Sequence, residues 1–270
     1  MNLTRREFLM LAVVSAVSMT PCGRVFAATD TNYYLKNKRV LLGAFNGTVA
    51  GVREFLAPEL GKERTEQIIS SALKRFESLL PDLPDVGGER NWDTQYIPVA
   101  AWYLALYEPM KAYGKTAEDV GRLVYELRKY ELDHTPVAVL SKQGKEMFEP
   151  ASISQMKEWA AWTQKKEYPA NWVATFLQGD GKTFDFGYDY SECALVKFFK
   201  AHGVPELAPY VCLNDFTQSM AFRTGLERSK TIAQGDGVCN FRYKQGRPVK
   251  QNWDSEIAYI RKQISGRAAK

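Results

Sequence analysis

Four side chains in the C-terminal half are of types that do covalent or proton-transfer chemistry: Cys193, Cys212, Cys239 and Asp215. Cys193 follows an expected strand and falls in the first turn of an expected helix, where unpaired amides and the helix dipole favour a thiolate. Cys212 and Asp215 are three apart on the next expected helix, so they share a face. Cys239 alternates with Phe241 and Tyr243 and should point to the buried side of a strand. Three readings of these thiols stay open. They act as small hydrophobes, or two form a disulfide and one is left over. They bind a metal, for which the ligand type is right although no C-x-x-C or nearby histidine accompanies it. Or one thiol is a nucleophile or proton donor with Asp215 as its acid–base partner. His134 and His202 stand in unrelated contexts, and neither a phosphate-binding loop nor a Gly-x-Ser-x-Gly elbow occurs.

The elements that must position these residues fall into two parts, giving an α+β fold. Residues 28–167 read as helices. Lys62 to Leu80 is amphipathic and ends at Pro81 and Pro84, and Thr94 to Tyr113 is apolar nearly all round. Thr116 opens a helix to about Leu132 with a capping-box pattern, and another runs from Ser154 to Lys166. Residues 168–250 read as strand, strand, helix, helix, strand, strand, a four-stranded, mostly antiparallel sheet covered by helices. Trp172–Gln178 and Lys182–Tyr190 flank a Gly179-Asp180-Gly181 turn, with Phe184, Phe186, Tyr188 and Tyr190 on one face. Leu226–Ala233 and Val238–Lys244 flank the similar Gln234-Gly235-Asp236-Gly237. Helices are expected from Glu192 to Ala201 and from Glu206 to Phe222. Residues 251–270 read as a peripheral basic tail.

Glu192-Cys193, Cys212-Leu213-Asn214-Asp215, Arg228-Ser229-Lys230-Thr231 and Gly235-Asp236-Gly237-Val238-Cys239-Asn240-Phe241 occur in the order found in one family. So do Leu80-Pro81-Asp82-Leu83-Pro84 and Ala101-Trp102-Tyr103-Leu104-Ala105-Leu106-Tyr107. On these motifs the chain resembles the L-2-amino-thiazoline-4-carboxylic acid hydrolase-like family over nearly the whole chain after Ala27. Asn240 departs from the acidic residue expected there. The resemblance implies hydrolytic opening of a cyclic isothiourea, with water added at the carbon between nitrogen and sulfur. It implies Cys193, Cys212 and Cys239 as candidate nucleophile or proton donor, Asp215 as base or orienter, and Arg228 as the cation for a substrate carboxylate. The alternative is a non-catalytic protein binding a small molecule or a metal, its aromatic sheet face of Phe184, Phe186, Tyr188, Phe241 and Tyr243 holding the ligand. The second half is also similar in layout to small-molecule-binding domains related to 4-vinyl reductases. Phe186 and Phe241 are the aromatic candidates for contact with the bound molecule, and no cofactor is assigned beyond a Cys-bound metal as an alternative.

The first 27 residues set the expected location. Arg5-Arg6 followed by Phe8 and Leu9, an uncharged run from Leu9 to Met19, and Val25-Phe26-Ala27 read as a twin-arginine signal cleaved after Ala27. The run is too short to span a bilayer, which needs about 20 residues. Pro21 before Cys22 departs from the small residue that lipid attachment requires. The expected product is periplasmic or extracellular, folded before export, and met by the twin-arginine translocase. The formal charge of +5 loses two with Arg5, Arg6 and Arg24 against Glu7, and no basic stripe suggests a nucleic-acid partner. No segment after Ala28 reads as long and apolar enough to cross a membrane, so the partner expected is a small-molecule substrate or ligand.

Overall fold

A computed structural model describes residues 32–268, and the expected signal with Arg5 and Arg6 lies outside them. Two compact units divide the chain, the first ending at Lys115 and the second beginning at Thr116.

The first unit is helical. A short α1 (Tyr33–Lys36) leads into α2 (Lys38–Leu60), α3 (Lys62–Leu79) and α4 (Tyr96–Lys111). α3 buries Ile68, Ile69, Ala72, Phe76 and Leu79, the stripe its three- and four-residue spacing predicts. α4 is buried on nearly every side, as its apolar composition requires. Phe45 of α2, Phe76 of α3 and Trp102 of α4 meet with ring centroids 4.8 to 6.2 Å apart. α2 corrects one expectation: by length and composition it could cross a membrane. Glycines, Asn46 and Thr48 dilute its apolar run in the sequence, yet no charge interrupts residues 40–52. Its buried residues Ala44, Phe45, Val49, Val52 and Leu56 lie on one stripe.

The second unit begins with α5 (Ala117–Asp133). Thr116 Oγ1 accepts from the Asp119 amide and Asp119 Oδ2 accepts from the Thr116 amide, closing the expected capping box. α6 (Val137–Glu146) and α7 (Pro150–Thr163) follow. A Cβ on Gly144 of α6 would fall 1.9 Å from the Phe222 carbonyl oxygen, so only glycine allows that approach. The sheet comprises β1 (Val173–Gln178), β2 (Phe186–Glu192), β3 (Leu226–Glu227) and β4 (Cys239–Tyr243) in the order β1-β2-β4-β3, with all neighbours antiparallel. Tyr190 pairs with Cys239, Tyr188 with Phe241 and Phe186 with Tyr243, which puts all six on one face. α7 covers that face, where Trp159 packs edge-on against Tyr188 and Tyr190.

Both hairpins differ from their sequence reading. Lys182–Asp185 is not strand: Asp180 Oδ1 accepts from the amides of Lys182 and Thr183, and this local turn outcompetes the ladder. Phe184 consequently leaves the aromatic face and packs on Arg242, whose guanidinium carbon is 5.5 Å from its ring centroid. The second hairpin shrinks to two residues on its first strand. Beyond Glu227 the backbone is held by side chains instead: Gln251 brackets Arg228, and Asn240 Oδ1 accepts from the amides of Ser229 and Lys230. A 3-10 turn at Ile232–Gln234 follows.

α8 (Ala194–Ala201) begins after Cys193. The helix expected from Glu206 to Phe222 is broken into a 3-10 turn, α9 (Ala208–Val211) and α10 (Asn214–Phe222). The segment expected to be a peripheral tail contains α11 (Trp253–Ala268). Trp253 is buried against Tyr125 and Tyr210, and Ile260 is fully buried, so apolar contacts fix a helix that its basic composition obscured.

Candidate functional site

The break between α9 and α10 makes the centre of the site. Cys212 and Leu213 keep right-handed helical dihedrals, but the helix changes its hydrogen bonding there. The Cys212 carbonyl accepts from Arg228 Nη2 at 2.9 Å. Asp215, in the first turn of α10, accepts from Arg228 Nη1 at 2.5 Å through Oδ2. Arg228 is 4% exposed and lies between two rings, its guanidinium carbon 4.7 Å from the Phe216 centroid and 4.9 Å from that of Phe241. A buried cation needs such compensation, and this one has an anion, a carbonyl and two π faces.

The three cysteines close around this pair. Cys193 is the N-cap of α8, just before the first turn in which its sequence pattern places it. Burial pushes its thiol up, while the amides of Val196 and Leu195 and the indole of Trp172 pull it down. Cys212 is raised further by burial, against the pull of Arg228. Cys239 is pushed up to about 12 by burial and the neighbouring Cys193, and its Sγ accepts from the Ile232 amide at 3.1 Å. Each thiol feels Asp215, and Cys212 and Cys239 also feel Arg228, so the five groups occupy one neighbourhood. All three are free thiols, which sets aside the disulfide. Among the described residues no group of three or more His, Cys, Asp or Glu side chains is placed to hold a metal ion.

Cys193 and Cys212 are ringed by protein yet only half-buried by surface area, and Asp215 keeps 42% of its side-chain surface accessible. This accessible surface, beside the buried Arg228, Phe216 and Cys239, forms the recess of the candidate site. Burial raises the Asp215 carboxyl from its ordinary value, against Arg228, and its Oδ1 receives no hydrogen bond from the described residues. The recess therefore holds one open carboxylate oxygen beside three thiols that burial holds above their ordinary values. Two surface grooves lie elsewhere. One of about 430 Å³ is lined by Glu63, Glu66 and Gln67, the other of about 390 Å³ by Phe148, Gln178, Asp180 and Phe186. Neither brings a thiol to a carboxylate.

The family model for L-2-amino-thiazoline-4-carboxylic acid hydrolase matches residues 97–243, more than half of the chain. The chain belongs to this family. The match runs from Ile97 in α4 to the last residue of β4 and so takes in Cys193, Cys212, Asp215, Arg228 and Cys239, whereas Leu80–Pro84 lies outside it. No curated protein and no solved structure shows a significant match.

In this family member Phe241 joins the recess through Arg228, whereas Phe186 does not. Phe186 pairs with Tyr243 and Tyr190 with Cys239, so Phe186 lies four residues along β2 from the cysteine end, about 13 Å at strand rise. It is fully buried against Phe148, Phe176 and Tyr243. Three supporting residues escaped the sequence reading. Phe216 stacks on Arg228, and its position immediately after Asp215 was the available signal. Trp172 meets Cys193 from the start of the β1 segment. Lys197 Nζ binds the carbonyls of Pro169 and Asn171 and the Glu192 carboxylate, tying the approach to Trp172 to α8.

Proposed function

We propose that this chain is a thiol-dependent hydrolase of the aminothiazoline-carboxylate type, opening a small polar heterocycle at its amidine carbon. The observation that carries the reading is the meeting of Cys193, Cys212, Cys239, Asp215 and Arg228 in one recess. Cys193 is the nucleophile, because it alone among the three thiols is the N-cap of a helix, where the amides of Leu195 and Val196 oppose the burial that raises it. Asp215 is the acid–base group, with Oδ1 open to the substrate.

The steps balance as follows. Asp215 takes the Cys193 proton as the sulfur bonds to the amidine carbon. The ring C–S bond breaks, and the ring sulfur leaves with the proton from Asp215. Water then bonds to the same carbon and gives a proton to Asp215, and Cys193 departs with that proton. The net change is addition of one water, leaving a free thiol and an N-carbamoyl group. Cys212 lines the recess, Cys239 fixes the Ile232 turn, and Phe241 borders the bound ring.

The reading extends to location: residues 1–27 act as a twin-arginine signal, and the processed chain works in the periplasm or beyond. Replacing Arg5 and Arg6 with lysine is expected to retain the precursor in the cytoplasm on fractionation. A non-catalytic binding role fits less well, since Trp159 and Phe148 fill the aromatic face with protein side chains.

The deciding experiment is thiol titration and metal analysis of the purified protein, followed by turnover of 2-amino-thiazoline-4-carboxylate by wild type and by Cys193→Ala, Cys212→Ala and Cys239→Ala. Three free thiols, no metal and loss of turnover in Cys193→Ala support the proposal. A stoichiometric metal without turnover would replace it with the metal-binding alternative.

A further inference from the structure

The geometry points to Arg228 as the positioning residue of Asp215 rather than the cation that receives a substrate carboxylate. This rests on the hydrolase reading and assigns Arg228 a role different from the one the family resemblance implied.

A cation that anchors a substrate must show the solute a donor edge, as the bidentate pairing of guanidinium with carboxylate requires. Arg228 does not. Its side chain is 2% accessible, against 42% for Asp215, so almost all the surface the pair offers to the recess is carboxylate. Nη1 is committed to Asp215 Oδ2 and Nη2 to the Cys212 carbonyl. Nε is buried with no hydrogen-bond partner. Phe216 and Phe241 cover the two faces. The backbone of Arg228 is bracketed as well, its amide donating to Gln251 Oε1 and its carbonyl accepting from Gln251 Nε2. Held this way, the guanidinium bridges the end of α9 to the first turn of α10 and fixes which carboxylate oxygen faces the recess.

The same placement controls the charge of Asp215. The groups around its carboxyl are Arg228 from the segment after β3, Cys212 from the α9–α10 break, Cys193 from the start of α8 and Cys239 from β4. On α10 itself, Gln218 accepts from Arg128 of α5. Arg228 is the cation among the groups that act on the carboxyl and opposes the burial that raises it. Removing that charge moves the ionisation of Asp215 to higher pH, and a positioning role carries the change into kcat on substrates with and without a carboxylate.

The test compares wild type, Arg228→Lys and Arg228→Gln on 2-amino-thiazoline-4-carboxylate and on 2-aminothiazoline, which lacks the carboxylate. For a positioning residue, Arg228→Gln lowers kcat on both substrates by about 100-fold, with KM changed less than about threefold. The acid limb of its pH–rate profile moves up, and Arg228→Lys restores the limb without restoring kcat. A rise in KM confined to the carboxylate substrate, with the acid limb unmoved, overturns the assignment. Should wild type turn over neither substrate, the hydrolase reading has failed. Iodoacetamide alkylation of Cys193 and Cys212 against pH then tests the charge placement separately. The Cys212 profile is expected to move to higher pH in Arg228→Gln, and an unchanged profile refutes the placement. If Arg228→Gln does not fold, the kcat and limb of Arg228→Lys decide: wild-type kcat on 2-aminothiazoline with a raised KM on the carboxylate overturns it.

Discussion

The two ends of the aromatic face on β2 and β4 are built from the same alternation yet behave differently. At one end Phe186 stacks on Tyr243 with centroids 5.0 Å apart and on Phe176 at 6.2 Å, fully buried. At the other, Phe241 stacks on a buried guanidinium, and Cys239 gives its sulfur to a backbone amide. The strands do not make the difference. What approaches them does: Phe148 and β1 seal the first end, while the α9–α10 break and the residues after β3 bring Asp215, Cys212 and Arg228 to the second. A sheet face can thus serve as core at one end and as the wall of the candidate site four residues away.

That contrast breaks most sharply at Asp215. Asp215→Asn keeps the shape but removes the base, and turnover is expected to fall by about 1,000-fold or more, in line with loss of general acid–base catalysis. Steady-state kinetics on the folded variant would measure it, and retention of more than a tenth of wild-type kcat would remove Asp215 from the mechanism. In wild type the carboxyl is raised, so turnover should fall with decreasing pH at a value above the ordinary carboxylate range. Stability runs the other way. Between the ordinary and the raised value the folded state binds the extra proton, so acidifying through that window stabilises the fold on the account of Asp215 while activity is lost. An acid limb at or below the ordinary value would place the catalytic base elsewhere.

At the sealed end the expected effect is on stability. Phe186→Ala leaves a cavity in a fully buried aromatic cluster and should cost about 3–5 kcal/mol in denaturant unfolding. The folded fraction should turn over substrate at close to the wild-type rate. A proportionate loss in kcat of the folded protein would join the two ends into one site, and the groove beside Phe186 would then become part of it.

The sequence exposed this division unevenly. α3, α4 and the Thr116 cap were legible because they depend on local periodicity and a four-residue hydrogen-bond pattern. Cys193, Cys212, Asp215 and Cys239 were legible as types, and the alternation of Cys239 with Phe241 placed them on one face correctly. The sealing of Arg228 was not, because it needs Phe216 and Phe241 from separate elements and a helix break at residues whose dihedrals remain helical. Phe184 was misplaced for a related reason. Alternation sets its face only where a strand exists, and Asp180 ends the strand pattern before it. α11 was missed because Trp253 and Ile260 are sparse among basic residues, and their burial depends on Tyr125 and Tyr210.

The smallest expected effect is at Asn240, on the polar side of β4 and behind the reactive end. Its Oδ1 accepts from the amides of Ser229 and Lys230, and its Nδ2 donates to Ser229 Oγ. An aspartate keeps the two acceptor bonds and can accept from the Ser229 hydroxyl once that hydroxyl rotates, so all three contacts survive with donor and acceptor exchanged in one. Asn240→Asp should therefore change stability by less than about 1 kcal/mol and leave kcat within about twofold, since the turn that carries Arg228 keeps its geometry. Thermal unfolding and initial rates would show this. A loss of turnover as large as that of Arg228→Gln would mean that the polar face of β4 controls the recess through the Ser229–Lys230 turn, and the two faces of the strand would have to be treated as one unit.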